Sequence, residues 1–169
     1  DPGGPENPTS GSPPPSLIQR CLDQPRRSHA ASSLSITGTH ATVPDKVPRA
    51  LNFSPDGKRL YFTEAGASAV QVLDPTTNTI VDQIPVGTSP HQPLFVGAGQ
   101  TALVVVQGPG QLAVVDTANK TVTAVPVGQM PHWIAVSSDG RFAYVTNENS
   151  SDVSIVSIDN KKVIAGMLT

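Results

Sequence analysis

The stretch Pro48–Glu64 reads PRALNFSPDGKRLYFTE, and a closely similar stretch, PHWIAVSSDGRFAYVTN, occupies Pro131–Asn147. The two align without a gap at an offset of 83 residues, which places Asp56 over Asp139. A weaker copy begins at Pro90, 42 residues after the first. Self-similarity at a period of this length indicates a repeat protein, so the fold follows from the repeating unit.

Each copy contains four short apolar runs separated by turn residues, which predicts four β-strands joined by hairpins. Ser-x-Asp-Gly at residues 54–57 and 137–140 supplies the side-chain acceptor and the positive φ that a tight turn requires. No long apolar period of 3.6 residues is present, so no helix is predicted. Repeated four-stranded antiparallel units are typical of β-propeller blades. The predicted strands are residues 50–53, 59–63, 69–74, 79–86, 93–96, 101–106, 111–116, 121–127, 133–136, 142–146, 152–157 and 162–168.

The modules resemble the YVTN-type β-propeller repeat. Tyr144–Asn147 is the tetrapeptide that names this repeat, and its closing motif Ile/Val-Pro-Val-Gly stands at residues 84–87 and 125–128. The resemblance covers Pro48–Thr169 and departs at residues 97–100, where Gly-Ala-Gly-Gln predicts an altered turn. It implies an all-β propeller, and members of the family commonly have seven blades.

The domain organisation follows from the repeat. We expect three four-stranded antiparallel blades at residues 48–89, 90–130 and 131–169, preceded by a Pro/Gly/Ser-rich arm at residues 1–47. Residues 1–16 contain six prolines and three glycines, and such a segment buries too little apolar surface to offset its ordering entropy. The arm is therefore predicted to be extended or disordered. It ends in residues 40–43, which resemble the last strand of a preceding blade.

Three blades alone would leave two blade faces bare, and apolar patches of that size mark an interface or an aggregation hazard. We expect the chain to be part of a longer, seven-bladed propeller whose further blades seal these faces. Self-association with a second copy and capping by another protein are the alternatives.

Composition excludes some functions and suggests a location. The net charge of -2 argues against a nucleic-acid surface, and no apolar run reaches the length of a membrane span. Few lysines and many Pro, Thr and Ser residues favour an extracytoplasmic protein, either periplasmic, secreted or at the cell surface. Cys21 is the single cysteine, so it is inert, bridged to another chain or lipid-modified.

Two sets of repeat-equivalent polar residues are predicted to converge at one mouth of the propeller channel, where concave polar sites gather. The first set follows the proline that opens each blade and comprises Arg49, His91 and His132. The second set ends the second strands and comprises Glu64 and Asn147, with Val106 as the middle equivalent. Together they predict a site for a polar or anionic ligand.

Other interpretations of these residues stay open. Pro-His is also explained as a repeat consensus whose ring hydrogen-bonds a neighbouring blade. A metal would use His91 and His132, but it needs a third ligand from Glu64 or from further blades. Trp133 is expected to pack between blades, and Tyr144 to act as a core spacer. No cofactor is expected, since the sequence has no phosphate-cradling glycine loop and no haem-attachment motif.

The sequence favours a non-enzymatic binding or scaffold module that contacts a protein partner. The repeat forms a rigid disc, and no catalytic motif such as Gly-x-Ser-x-Gly is present. The alternative is part of a propeller enzyme, either lactonase-like or similar to quinoprotein and haem oxidoreductase domains, with a polar or metal site at the channel mouth.

Overall fold

A computed structural model describes residues 47–168 of the chain. Within this range the protein is all-β, with three four-stranded antiparallel sheets and no helix, as the sequence predicts. It follows that the described part has no helix long and apolar enough to cross a bilayer. The predicted arm, Cys21 and the strand at residues 40–43 lie outside the described residues.

Each sheet is one blade, and its strands follow one another in chain order. Blade 1 consists of β1 (Val47–Phe53), β2 (Leu60–Ala65), β3 (Ala69–Asp74) and β4 (Thr79–Pro85). Blade 2 consists of β5 (Pro90–Val96), β6 (Thr101–Val106), β7 (Gln111–Asp116) and β8 (Val122–Pro126). Blade 3 consists of β9 (Pro131–Val136), β10 (Phe142–Asn147), β11 (Asp152–Ser157) and β12 (Lys162–Leu168).

The first strand of each blade begins two or three residues before its predicted start and includes the proline that opens the repeat. Proline cannot donate to a strand ladder, so it is tolerated at a strand's first residues or at an edge. Here the first strands are edge strands. Pro90 and Pro131 pair with the last residue of the neighbouring strand, and Pro48 pairs with the next-to-last. This pairing extends each blade toward one end.

The hairpins between first and second strands share one backbone turn, which different side chains stabilise in different blades. In blade 3, Gly140 adopts a φ of 72° and donates its N–H to the carbonyl of Ser137 at 2.8 Å. In blade 2, Gly99 donates to Val96 at 3.0 Å, and Gly97 also takes a positive φ. The altered turn predicted at residues 97–100 is therefore present, and Thr117 replaces the missing Ser-Asp pair by donating its hydroxyl to the Gly99 carbonyl at 2.8 Å.

Two apolar cores lie between the blades. The core between blades 1 and 2 joins Val70 and Ile84 to Val104 and Val115. The core between blades 2 and 3 joins Leu103 and other residues of blade 2 to residues of blade 3 such as Val145 and Val156. Blade 2 is covered on both faces, which explains why its strands β6 and β7 are almost continuously apolar.

We call the side of a blade that meets the following blade its trailing face, and the side that meets the preceding blade its leading face. Tyr61 lies on the trailing face of blade 1 and is buried against blade 2. The equivalent residue of blade 3, Tyr144, is 38% exposed. The prediction of Tyr144 as a core spacer is wrong for the described residues, because its side chain lies on the trailing face of blade 3 and not against blade 2.

Candidate functional site

The three first strands lie side by side, because β1 contacts β5 and β5 contacts β9. In each of them the pairing with the second strand is irregular directly after the opening proline. The irregularity lies between Pro48 and Ala50 in β1 and between Pro90 and Pro93 in β5, and in blade 3 it lies between Val145 and Asn147 of β10, opposite the start of β9. Such bulges redirect side chains and are common beside functional sites. The residues they redirect are Arg49, His91 and His132. We call this end of the three first strands the mouth.

Two residues that precede the opening prolines have left-handed backbone. Ser89 has a φ of 55° and Met130 a φ of 51°, and both lie at the connection between two blades. A left-handed conformation is uncommon for residues other than glycine, asparagine and aspartate, and it persists only where the surroundings enforce it. The strained connection and the following bulge together determine the direction of His91 and His132.

Aromatic rings of blades 2 and 3 form one cluster at the mouth. The centroids of His91 and His132 are 4.5 Å apart, with the rings edge to face at 88°. Trp133 stacks on His132 at 5.3 Å with an interplanar angle of 20°, and it meets His91 edge to face at 5.7 Å. Trp133 of blade 3 therefore contacts blade 2 through His91, as the packing prediction expects, but its side chain is 55% exposed and is not buried between the blades.

The surroundings of His91 favour its neutral form. Burial, then the neighbouring His132, then Arg49, lower the pKa of His91 below its ordinary value. Its Nδ1 atom is buried and has no hydrogen-bond partner among residues 47–168. A neutral imidazole has one nitrogen free to accept a proton, which is the property a general base requires.

Arg49 lies across the mouth from this cluster. Its Nη1 donates a hydrogen bond to Oε1 of Gln107 at 2.6 Å, which ties blade 1 to blade 2. Arg49 and Gln107 line a cavity of about 500 Å³ together with Ser89, Gln129 and Met130. A guanidinium at the wall of a cavity can bind a carboxylate or phosphate through two parallel hydrogen bonds.

Glu64 and Asn147 do not reach the cavity. Each is 2% exposed, and their hydrogen bonds stay within their own blades. Glu64 accepts from Nε2 of Gln71 at 3.4 Å, whereas Asn147 donates to Ser154 at 2.9 Å and to Asp152. Asn147 nevertheless lines a second cavity of about 380 Å³ together with His132, Trp133 and Glu148, whereas Glu64 lines neither cavity.

The described residues contain no group of three or more His, Cys, Asp and Glu side chains that could hold a metal ion. His91 and His132 meet edge to face and do not converge on a common point with a carboxylate. Glu148 lies beside His132, with its Oε2 3.6 Å from Nδ1 of the imidazole. That pair is suited to orienting the imidazole.

Sequence reasoning missed Glu148, Gln107 and the exposure of Trp133. Gln107 and Glu148 are repeat equivalents that directly follow the second strands β6 and β10. A comparison of the three repeats one position after Glu64 and Asn147 would have found both residues. The sequence could not indicate that Trp133 is exposed, because a tryptophan fits a buried position equally well.

Together, repeated four-stranded blades and a polar mouth on their first strands define a β-propeller. The family model described as "Lactonase, 7-bladed beta-propeller" matches residues 26–163. The chain belongs to this family. The search of curated proteins found no match.

Solved structures show the same fold. Hydrazine synthase of Kuenenia stuttgartiensis superposes with a TM-score of 0.70 at 23% identity, over 80% of this chain and 39% of that chain. A putative 6-phosphogluconolactonase from Bacteroides uniformis superposes with a TM-score of 0.61 at 18% identity, over 80% of this chain and 47% of the other. The chain therefore spans less than half of either protein, and the likeness concerns the fold.

Proposed function

We propose that the chain forms part of a propeller enzyme that hydrolyses a lactone, with the substrate bound at the mouth. The observation that carries this proposal is the placement of Arg49, His91 and His132 at the mouth, where Arg49 lines one cavity and His132 lines another, in a member of a lactonase family. The comparisons favour this enzymatic alternative over the scaffold role that the sequence favours. An oxidoreductase role has no comparable support from the residues of the mouth.

Lactone hydrolysis needs a base that takes a proton from water and a donor that stabilises negative charge on the carbonyl oxygen. His91 is suited to the first task because its environment keeps the imidazole neutral. Arg49 is suited to the second task, or to binding an anionic group of the substrate. His132, held near Glu148, would orient the substrate against Trp133. The oxygen of the activated water adds to the carbonyl carbon, the acyl C–O bond of the ring breaks, and the proton taken by His91 passes to the leaving ring oxygen, which gives the hydroxy acid.

A phosphorylated sugar lactone fits this arrangement, because a phosphate would pair with Arg49 and the sugar ring would lie on the exposed face of Trp133. One of the fold neighbours is a putative 6-phosphogluconolactonase, which makes such a lactone the first substrate to test. We also infer that the modules are YVTN-type repeats, on the basis of residues 144–147 and 84–87.

The test is hydrolysis of 6-phosphoglucono-δ-lactone and glucono-δ-lactone above their spontaneous rates. Arg49→Ala should lower the rate of hydrolysis of the phosphorylated lactone more than that of the neutral lactone. His91→Gln should lower the turnover of both lactones. Lys58→Ala, on the hairpin between β1 and β2, is the matched control and should leave both rates unchanged. Rates equal to the spontaneous ones for both lactones would overturn the proposal.

A protein-binding role is a second proposal, supported by exposed apolar side chains of blade 3, which include Trp133 at the mouth and Tyr144 on the trailing face. In that case Tyr144→Glu would abolish binding of a partner, and His91→Gln would have no effect. We also propose an extracytoplasmic location, which fractionation of cells producing the full-length protein would test.

A further inference from the structure

Arg49 is a cationic residue whose hydrogen-bond partner is neutral. Its Nη1 donates to Oε1 of Gln107 at 2.6 Å, and within residues 47–168 its guanidinium has no carboxylate partner. By contrast, Arg59 and Lys120 each pair with an aspartate. The contact with Gln107 therefore holds the guanidinium in place and leaves its positive charge uncompensated.

A comparison of the repeats shows what distinguishes this pair. In blade 3, Oε2 of Glu148 lies 3.6 Å from Nδ1 of His132, which is the equivalent of Arg49. The equivalent of Glu148 in blade 1 is Ala65, and in blade 2 it is Gln107. Arg49 thus meets an amide where His132 meets a carboxylate, and its own blade has no acidic side chain at that position.

The cavity of about 500 Å³ that Arg49 and Gln107 line, which we call the arginine cavity, offers hydrogen-bond donors. None of the described residues that line it is acidic, and Ser89 and Gln129 add a hydroxyl and a carboxamide to its wall. Because Oε1 of Gln107 accepts from Arg49, the nitrogen of that carboxamide keeps its two N–H groups to donate. Two acidic side chains line the second cavity of the mouth. An anion is therefore expected in the arginine cavity.

The loop that carries Gln107 is fixed between the two blade connections. The backbone N–H of Gln107 donates to the carbonyl of Ser89 at 3.1 Å, and the N–H of Val127 donates to the carbonyl of Gly110 at 3.0 Å. A Cβ at Gly110 would lie 3.0 Å from the carbonyl oxygen of Gly128, so the loop packs closely against the second connection. Donors on a fixed loop lose little freedom when a ligand binds.

We propose that the arginine cavity is a binding site for a phosphate group, and that Gln107 positions Arg49 there without neutralising it. The phosphate oxygens accept charge-assisted hydrogen bonds from the guanidinium and further bonds from the carboxamide of Gln107. Free phosphate and a sugar phosphate share this chemistry. The inference deepens the proposed function, since the phosphate of a lactone substrate would occupy this site, but binding of phosphate does not require hydrolysis.

The test is isothermal titration of the full chain, residues 1–169, with inorganic phosphate and with glucose 6-phosphate at constant ionic strength. We expect both to bind, and the tighter of the two identifies free phosphate or sugar phosphate as the ligand. Arg49→Ala should abolish binding of both. Gln107→Glu should weaken both by roughly tenfold or more, because the new carboxylate pairs with the guanidinium and repels the phosphate. Gln107→Ala removes the contact without adding charge and should weaken binding less.

Gln83→Glu makes the same chemical change at an exposed position of β4 and should bind phosphate like the wild type. Circular dichroism checks that each variant retains the fold, and if Gln107→Glu does not fold, Arg49→Ala decides. A wild type that binds phosphate no more tightly than Arg49→Ala would overturn the proposal. Wild-type affinity in Gln107→Glu, or equal losses in Gln107→Ala and Gln107→Glu, would contradict the role of Gln107.

Kinetics separate this inference from the proposed function. Gln107→Glu should raise KM for 6-phosphoglucono-δ-lactone by roughly tenfold or more with kcat unchanged, and it should leave hydrolysis of glucono-δ-lactone as in the wild type. A wild type that binds phosphate but hydrolyses neither lactone supports the phosphate site and refutes only the proposed function. A wild type that hydrolyses the neutral lactone but binds no phosphate does the reverse.

Discussion

The imidazole of His91 meets that of His132 edge to face, with the ring centroids 4.5 Å apart and the planes at 88°. The contact joins blade 2 to blade 3. The pKa of His91 is lowered in the folded chain, first by burial and then by the charges of His132 and Arg49. The unfolded chain therefore binds a proton at a higher pH than the folded chain does.

The free energy of unfolding should consequently fall as the pH drops below about 6.5, the ordinary value for histidine, and level off below the pKa of folded His91. Chemical unfolding at a series of pH values, followed by the fluorescence of Trp133, measures this slope. His91→Gln should flatten it. Asp139→Asn should keep it, because the pKa of Asp139 is lowered by its bond from Ser137 and its own effect appears only at more acidic pH. An unchanged slope in His91→Gln would contradict the assignment.

Packing between blades depends on the absence of a side chain at Gly128. A Cβ at this position would lie 2.6 Å from Cγ of Asn147, and it would also collide with the hydroxyl of Ser150. Because Asn147 is buried, Gly128→Ala should destabilise the protein by about 1–3 kcal/mol through overpacking.

Gly166→Ala is the matched control, since the atom nearest to a Cβ at Gly166 is the Val153 carbonyl oxygen at 3.9 Å. Thermal unfolding of the two variants compares them directly. Equal melting temperatures would show that the connection between blades 2 and 3 relaxes without cost.

The core between blades 2 and 3 should dominate stability. Leu112 is fully buried in it, so Leu112→Ala should lower the free energy of unfolding by about 2–5 kcal/mol, through lost transfer energy and the cavity left behind. Leu168→Ala makes the same chemical change at an exposed position, and it should cost well under about 1 kcal/mol. Urea titrations give both values, and a small loss for Leu112→Ala would mean that the blades fill the space by moving together.

The ion pair between Lys120 of blade 2 and Asp82 of blade 1 should contribute little. Lys120 is largely exposed, and the hydrogen bond from its ammonium is the main cause of the lowered pKa of Asp82. A double-mutant cycle with Lys120→Ala and Asp82→Ala should give a coupling of about 0.2–1 kcal/mol that shrinks as salt is added. A coupling that does not respond to salt would indicate direct packing of the lysine stem.

Strand positions were predictable because each hairpin is determined locally. Ser54, Asp56 and Gly57 hold their turn by contacts within six residues, including the bond from the Ser54 hydroxyl to Asp56 at 2.6 Å. The starts of the first strands were less predictable, since the pairing of Pro48 with Glu64 depends on a bulge. Among the site residues, the repeat period identified Arg49, His91 and His132 at the mouth. It could not show that Glu64 lies buried against Gln71.

By itself, the sequence determined the repeating module, which has four strands, and showed that this module occurs three times within residues 48–168. That information is local, because turn residues and apolar runs act over a few neighbours. Only the tertiary structure decided which face of each module is covered. Identical positions such as Tyr61 and Tyr144 differ in burial according to the blade beside them, and the ring contact of His91 with His132 exists only because β5 and β9 lie side by side.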